Sequence, residues 1–339
     1  MTAAAPTRSP VRADDLAASS RGRRIWHAIR DSAPIFFVLA VMLIAIGFLN
    51  PRGFDTAYYL ALVKRAAPLA ILAVGELFVI VAGEFDLSVG SIVTVVVVGA
   101  AVLTAGDPEL TWIVIPAMFA FGILVGVVNG VLTAKVGVPS FIVTLGMLLI
   151  LDGGVALWTS GAPRGSLPQN LRMFGRESLQ DVPILGQIPY AVFVILIVGT
   201  IAFILLHRTN FGRRVFAVGG NARAAALAGI SVPRTKIAAF IISATFAVIA
   251  GILLAGFGGL SNRAGATMEF GAISAVVLGG AVLGGGRGSV ITAIAGAFTL
   301  EALFTVLNLI GLPVEVRSTV QGAIIIAAVA YASYRLRRG

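Results

Sequence analysis

The chain has 339 residues, 58% of them apolar and 12% charged, with a mean hydropathy of +0.99. A soluble domain carries about a quarter charged residues, and here the few acids and bases gather between long apolar runs, which excludes a soluble globular protein. The net charge of +10 does not point to nucleic acid, because aromatic residues do not interleave with the bases. Six of the 25 basic residues (Arg8, Arg12, Arg21, Arg23, Arg24 and Arg30) precede the first apolar run, and Arg335, Arg337 and Arg338 close the chain. That placement is expected of cytoplasmic anchors.

Spanning a bilayer takes about 20 apolar helical residues, since every backbone polar group must be satisfied internally. On that rule the chain predicts ten spans, at 33–49, 59–82, 91–105, 111–133, 139–160, 187–206, 234–257, 268–284, 288–309 and 315–334. The first run ends in Asn-Pro-Arg-Gly with no small-residue cleavage site, so it is expected to be a retained span and not a removed signal peptide. The third and eighth are short enough to be re-entrant or half-broken. With alternating spans and an inner N-terminus, seventeen bases fall on inner segments and six on outer ones. This bias places both termini in the cytoplasm. The expected architecture is all-α: a polar tail at 1–32, one transmembrane domain at 33–334, and a basic tail at 335–339.

Two segments are too long or too polar for simple turns: the outer stretch 160–187 and the inner stretch 207–235. In the inner one, Asn221 can cap a helix, Ala222–Ala228 are strong helix formers, Gly229 can end it in the left-handed conformation, and Pro233 can restart the next span. A short alanine-rich helix offers little apolar area to lipid, and suits a groove in a partner protein better. The glycine-rich stretch Gly284–Ser289 lacks the lysine and spacing of a phosphate-binding loop and reads as a tight turn, so ATP hydrolysis is not expected in this chain.

Chemistry-bearing residues are sparse. The absence of cysteine excludes disulfides, thiolate metal sites and a cysteine nucleophile. The only histidines, His27 and His207, sit beside arginines at the ends of apolar runs, so neither a metal cluster nor a Ser/His/Asp set is expected. No cofactor is expected.

The segment Thr209–Lys236 resembles the coupling loop of the ribose-type (monosaccharide) permeases of bacterial ATP-binding-cassette importers. The resemblance recurs in family order from about 60 to 325: in Asp86-Leu-Ser-Val-Gly-Ser91, in Val138–Gly146 followed by Gly161-Ala-Pro163, in Leu278–Ser289, and in Asn308-Leu-Ile-Gly311. It implies a multi-pass protein of the bacterial inner membrane that pairs with a second permease subunit, identical or not. Two ATP-binding subunits dock through the coupling helices, and a periplasmic or lipid-anchored binding protein delivers a sugar or polyol. Carried over by position, Gly219, Gly220, Asn221, Ala222, Ala225, Gly229 and Ile230 form the coupling element. Asp86, Ser88 and Gly90 fall on the family's signature. Asp86 can cap the third helix or contact sugar, and the capping role is favoured.

Glu84-Phe85 stands where many relatives carry Gly-Ile, and Glu76 and Asp152 are acids where none is expected. With Glu301 they lie within or beside spans, where acids face a bundle interior or a cavity. Glu76 is read equally as polar lining of the route or as an interhelical pair, for example with Lys64 or Arg65, or a snorkelling end group, and for Asp152 the pair or snorkelling reading is favoured. Glu76, Glu301 and Asn308 complete the candidate path. The outer bases Arg164, Arg172, Arg176, Arg263 and Arg317 are expected to steer an acidic rim of the binding protein. The scattered acids also suit an ion-driven secondary transporter, whereas an intramembrane enzyme lacks a placed nucleophile and base.

Overall fold

A computed structural model describes residues 34–336 apart from Ile184 and Val314. The polar N-terminal tail at 1–32 and the last three residues lie outside the described residues. The predicted segments are helical: α1 (Pro34–Leu49), α2 (Thr56–Val81), α3 (Val89–Thr104), α4 (Thr111–Val131, continued by a π-turn to Val136) and α5 (Ser140–Thr159) come first. After the segment 160–187 come α7 (Tyr190–His207), α10 (Val232–Gly258), α11 (Met268–Leu278), α12 (Val290–Leu309) and α13 (Glu315–Leu336). Between α5 and α7 lie α6 (Gln169–Arg176) and an antiparallel hairpin of β1 (Ser178–Val182) and β2 (Gly186–Pro189); between α7 and α10 lie α8 (Asn210–Gly220) and α9 (Ala222–Leu227). The all-α expectation holds apart from that hairpin.

Among the described residues five helices are long and apolar enough to cross a membrane: α4 with its π-turn, α5, α7, α10 and α12. Their outward faces carry large apolar side chains such as Trp112, Leu124, Ile150, Leu157 and Leu196, all at least 45% exposed. In water a surface of that kind would aggregate; against lipid tails it is the ordinary solution. The protein is a multi-pass membrane protein. In the predicted span 268–284 only the 11 residues of α11 are helical, a rise of about 16 Å, and a glycine-rich turn follows.

Helix α2 forms the centre. Asp55 caps it by accepting the Ala57 N–H at 3.0 Å, and from Ala66 to Val81 every residue except Leu69 is buried. A helix apolar all round must be wrapped on every side, and α7, α10, α11 and α12 do this. Of its three charges, Glu76 is buried, Lys64 donates to the Arg176 carbonyl on α6, and the exposed Arg65 pairs with Glu301 on α12 at 3.4 Å.

Helix α10 packs on α2, α3 and α4. Since lipid is as apolar as the side chains, helices associate in a membrane by close contact, and small residues allow it. Gly122, Gly126 and Gly130 form such a row on α4, facing Ala244 and Val248, Ile241, and Ile237 of α10 in turn. A Cβ on Gly126 would meet the Ile241 Cα and the Phe240 carbonyl oxygen at 2.7 Å. Gly126→Val is therefore expected to push the two helices apart and destabilise the fold by about 1–3 kcal/mol, read as a lower thermal unfolding temperature in detergent.

Candidate functional site

The segment between α7 and α10 is two helices, not one helix in a loop. Sequence reading missed α8 because its glycines and arginines mask an amphipathic pattern. Gly212, Val215 and Val218 form its buried face, Arg213 and Arg214 its exposed one. Thr209 caps α8 by accepting the Gly212 N–H at 3.3 Å. Gly219 and Gly220 end it, and Asn221 then caps α9, its Oδ1 accepting the Ala224 N–H at 2.9 Å. Ala225 is the buried anchor of α9; Gly229 adopts φ +80° and lets the Ile230 N–H return to the Ala225 carbonyl at 3.0 Å. Ala222 is half-buried, while Arg223, Ala224, Ala226, Leu227 and Ala228 are exposed. Leu227, at 86% exposure, is a bare apolar tip that the sequence alone did not mark, because its exposure depends on the neighbours it lacks.

A second cluster lies where α2 ends. Residues 82–88 reverse the chain there, exposed at Gly83 and buried from Asp86 to Ser88, so the polar groups of the buried part must find protein partners. The Asp86 N–H donates to Glu76 Oε1 at 3.1 Å. Asp86 Oδ1 accepts both the Ser88 N–H at 3.0 Å and the Ser88 hydroxyl at 2.6 Å. Asn129 of α4 donates to Ser88 Oγ at 2.9 Å, and Ser140 Oγ of α5 accepts the Phe85 N–H at 3.2 Å. Glu84 makes an ion pair with Lys236 at the start of α10. Glu76, Asp86, Ser88 and Asn129 are fully buried.

This arrangement corrects two sequence readings. Glu76 does not pair with Lys64 or Arg65, which lie 12 and 11 residues earlier on the same helix, some three turns away; its partner is the backbone of the turn. Asp86 does not cap α3 directly. Ser88 occupies the N-cap position without a side-chain cap hydrogen bond, and Asp86 holds Ser88. Gly90 admits the start of α11, since a Cβ there would overlap Glu269 Oε2. Four buried polar atoms in this region, Glu76 Oε2, Asp86 Oδ2, Asn129 Oδ1 and Ser243 Oγ, close no hydrogen bond of normal geometry, although Ser243 stands beside Asp86.

The remaining candidates lie apart. Glu301 pairs with Arg65, and Asn308 is exposed at the end of α12. Asp152 is exposed on α5 near Arg263, on a helix where Gly146, Gly153 and Gly154 have open space before them. An ionisable group on the open face of a membrane helix belongs against a partner or an aqueous route, not lipid. At the foot of α2 a crevice of about 510 Å³ is lined by Lys64, Arg176, Glu177, Gln180 and Gln187 among others.

The structure defines a polytopic helical membrane bundle with polar groups buried at a chain turn and an ionisable residue on an open helix face. Comparison with known proteins narrows the class. Residues 58–329 match the family described as branched-chain amino acid transport system / permease component. The chain is 34% identical over 299 residues to the ribose import permease protein RbsC of Bacillus subtilis (strain 168), covering 87% of this chain and 90% of that one. Against RbsC of Escherichia coli (strain K12) it is 34% identical, covering 86% and 90%. Against the xylose transport system permease protein XylH of the same strain it is 33% identical, covering 89% and 92%. No solved structure matches significantly. The chain belongs to this permease family, within the ribose-type group of bacterial ATP-binding-cassette importers.

The turn network makes a stability prediction. Asp86→Ala leaves the Ser88 hydroxyl and its backbone N–H without their acceptor in a dry core, at a cost of about 1–3 kcal/mol. A fall in thermal unfolding temperature, smaller for Asp86→Asn, is the expected result.

Proposed function

We propose that this chain is the membrane subunit of an importer for a monosaccharide or related polyol, crossing the bacterial inner membrane ten times with both termini in the cytoplasm. Residues 33–334 are the permease domain, flanked by basic tails at 1–32 and 335–339. It works with a second permease subunit, identical or not, and two ATP-binding subunits, and receives solute from a periplasmic or lipid-anchored binding protein. ATP is hydrolysed in the partner subunits, whose movement, passed to residues 219–230, opens the route to one side and then the other.

The observation that carries this reading is α9. A capped six-residue helix held by Ala225 presents Leu227 bare beside Arg223, with no acid in residues 207–235. A lone exposed leucine on so short a helix matches an anchor that fills a pocket on a partner. The relatives named as ribose and xylose permeases support a sugar, and the family description, which names branched-chain amino acids, is the competing possibility. The open face of α5 with Asp152 supports a route between two permease subunits, since carboxylates accept hydrogen bonds from sugar hydroxyls. The outer bases Arg164, Arg172, Arg176, Arg263 and Arg317 are proposed to meet acids of the binding protein.

Leu227→Asp is expected to weaken capture of the ATP-binding subunit by about tenfold or more with unchanged thermal unfolding of the permease; undiminished capture would sink the docking role. In uptake by the whole complex, one of a panel of pentoses, hexoses and polyols is expected to compete and leucine is not.

A further inference from the structure

Both ends of the segment 219–236 press on the same turn. At the first end, the close packing of Gly219 against the Val81 carbonyl leaves no room for a Cβ. The same carbonyl accepts the Gly286 N–H at 2.9 Å, and a Cβ on Gly285 would lie 2.9 Å from Gly83 Cα. Glycines from three chain segments therefore interlock, backbone on backbone, with no flexible side chain between them to absorb a displacement. At the second end, Lys236 makes its ion pair with Glu84, both side chains no more than 19% exposed. From that turn, hydrogen bonds run outward to two further helices: Phe85 to Ser140 on α5, and Asp86 through Ser88 to Asn129 on α4.

We propose that the turn 82–88 receives the movement of the coupling element through Val81–Gly219 and Glu84–Lys236 and hands it to α4 and α5, with Glu84 and Lys236 as positioning residues for transport. This rests on the reading of 219–230 as the coupling element. It gives Glu84, an acid where relatives are expected to be uncharged, a specific task. A partly buried ion pair is suited to it, because removing either partner leaves a charge unpaired and lets the turn and α10 move separately.

The test uses the complete complex in proteoliposomes, with ATP hydrolysis and solute uptake measured on the same sample. Glu84→Gln and Lys236→Gln are expected to keep ATP-binding subunit capture and basal hydrolysis while solute moved per ATP falls about tenfold. The exchange Glu84→Lys with Lys236→Glu is expected to restore most of it. Unchanged uptake in both single variants, failure of a folded exchange variant to recover, or loss of subunit capture in place of transport would each overturn the proposal. If the exchange variant does not fold, the chain's lack of cysteine allows Glu84→Cys with Lys236→Cys joined by a short bis-maleimide: uptake should recover on bridging, and a bridged complex that stays uncoupled contradicts the proposal. Failure of the underlying reading looks different, since Leu227→Asp would then leave subunit capture intact.

Discussion

Helix α2 is wrapped by protein over its last four turns, with Leu69 alone half-buried, and in the turn that leaves it Gly83 alone is exposed while Asp86, Leu87 and Ser88 are buried. The polar groups of the turn's covered residues then have to be satisfied by neighbours. Glu76, Ser88, Asn129, Ser140 and Lys236 supply those contacts from four helices and the turn itself. The packing of α10 on α2 and α4, the approach of α11 at Gly90 and the seat of Gly219 all adjoin this one place.

That constraint links fold to function. In a membrane the close contacts of small residues do the work that the hydrophobic effect does in water, and close backbone contacts resist displacement. A closely packed centre tied to α5 at Ser140, its first residue, leaves the rest of α5 sparsely covered, with Asp152 exposed and three glycines facing open space. The closely packed part and the sparsely covered part are thus built on different sides of the same turn, as the proposed route along α5 requires.

Much of this was legible in the residues. Apolar run lengths located the helices, Asn221 and Gly229 marked the bounds of α9, and the ordered motifs pointed to the family. What could not be read has physical causes. The helix α8 is hidden by glycines that pack against backbone instead of breaking the helix, and the outer hairpin depends on a pairing between two short strands. Glu76 looked like a partner for Lys64 or Arg65 because charge was considered without helical rise, and Asp86 looked like a cap because the residues alone do not show that α3 starts at Val89, which puts Ser88 at the N-cap. Asn129 offered a signal, an amide within an apolar helix, that a stricter search for buried polar residues would have caught. Leu227 offered none, since an exposed leucine is recognised only once its missing neighbours are known.

The central claim is that this chain moves solute only when a separate motor drives it. Vesicles reconstituted with the permease alone, given inward proton or sodium gradients, should accumulate no sugar, while the same vesicles with ATP-binding subunits, binding protein and ATP should accumulate it against its gradient. Concentrative uptake by the permease alone under an ion gradient would contradict the account.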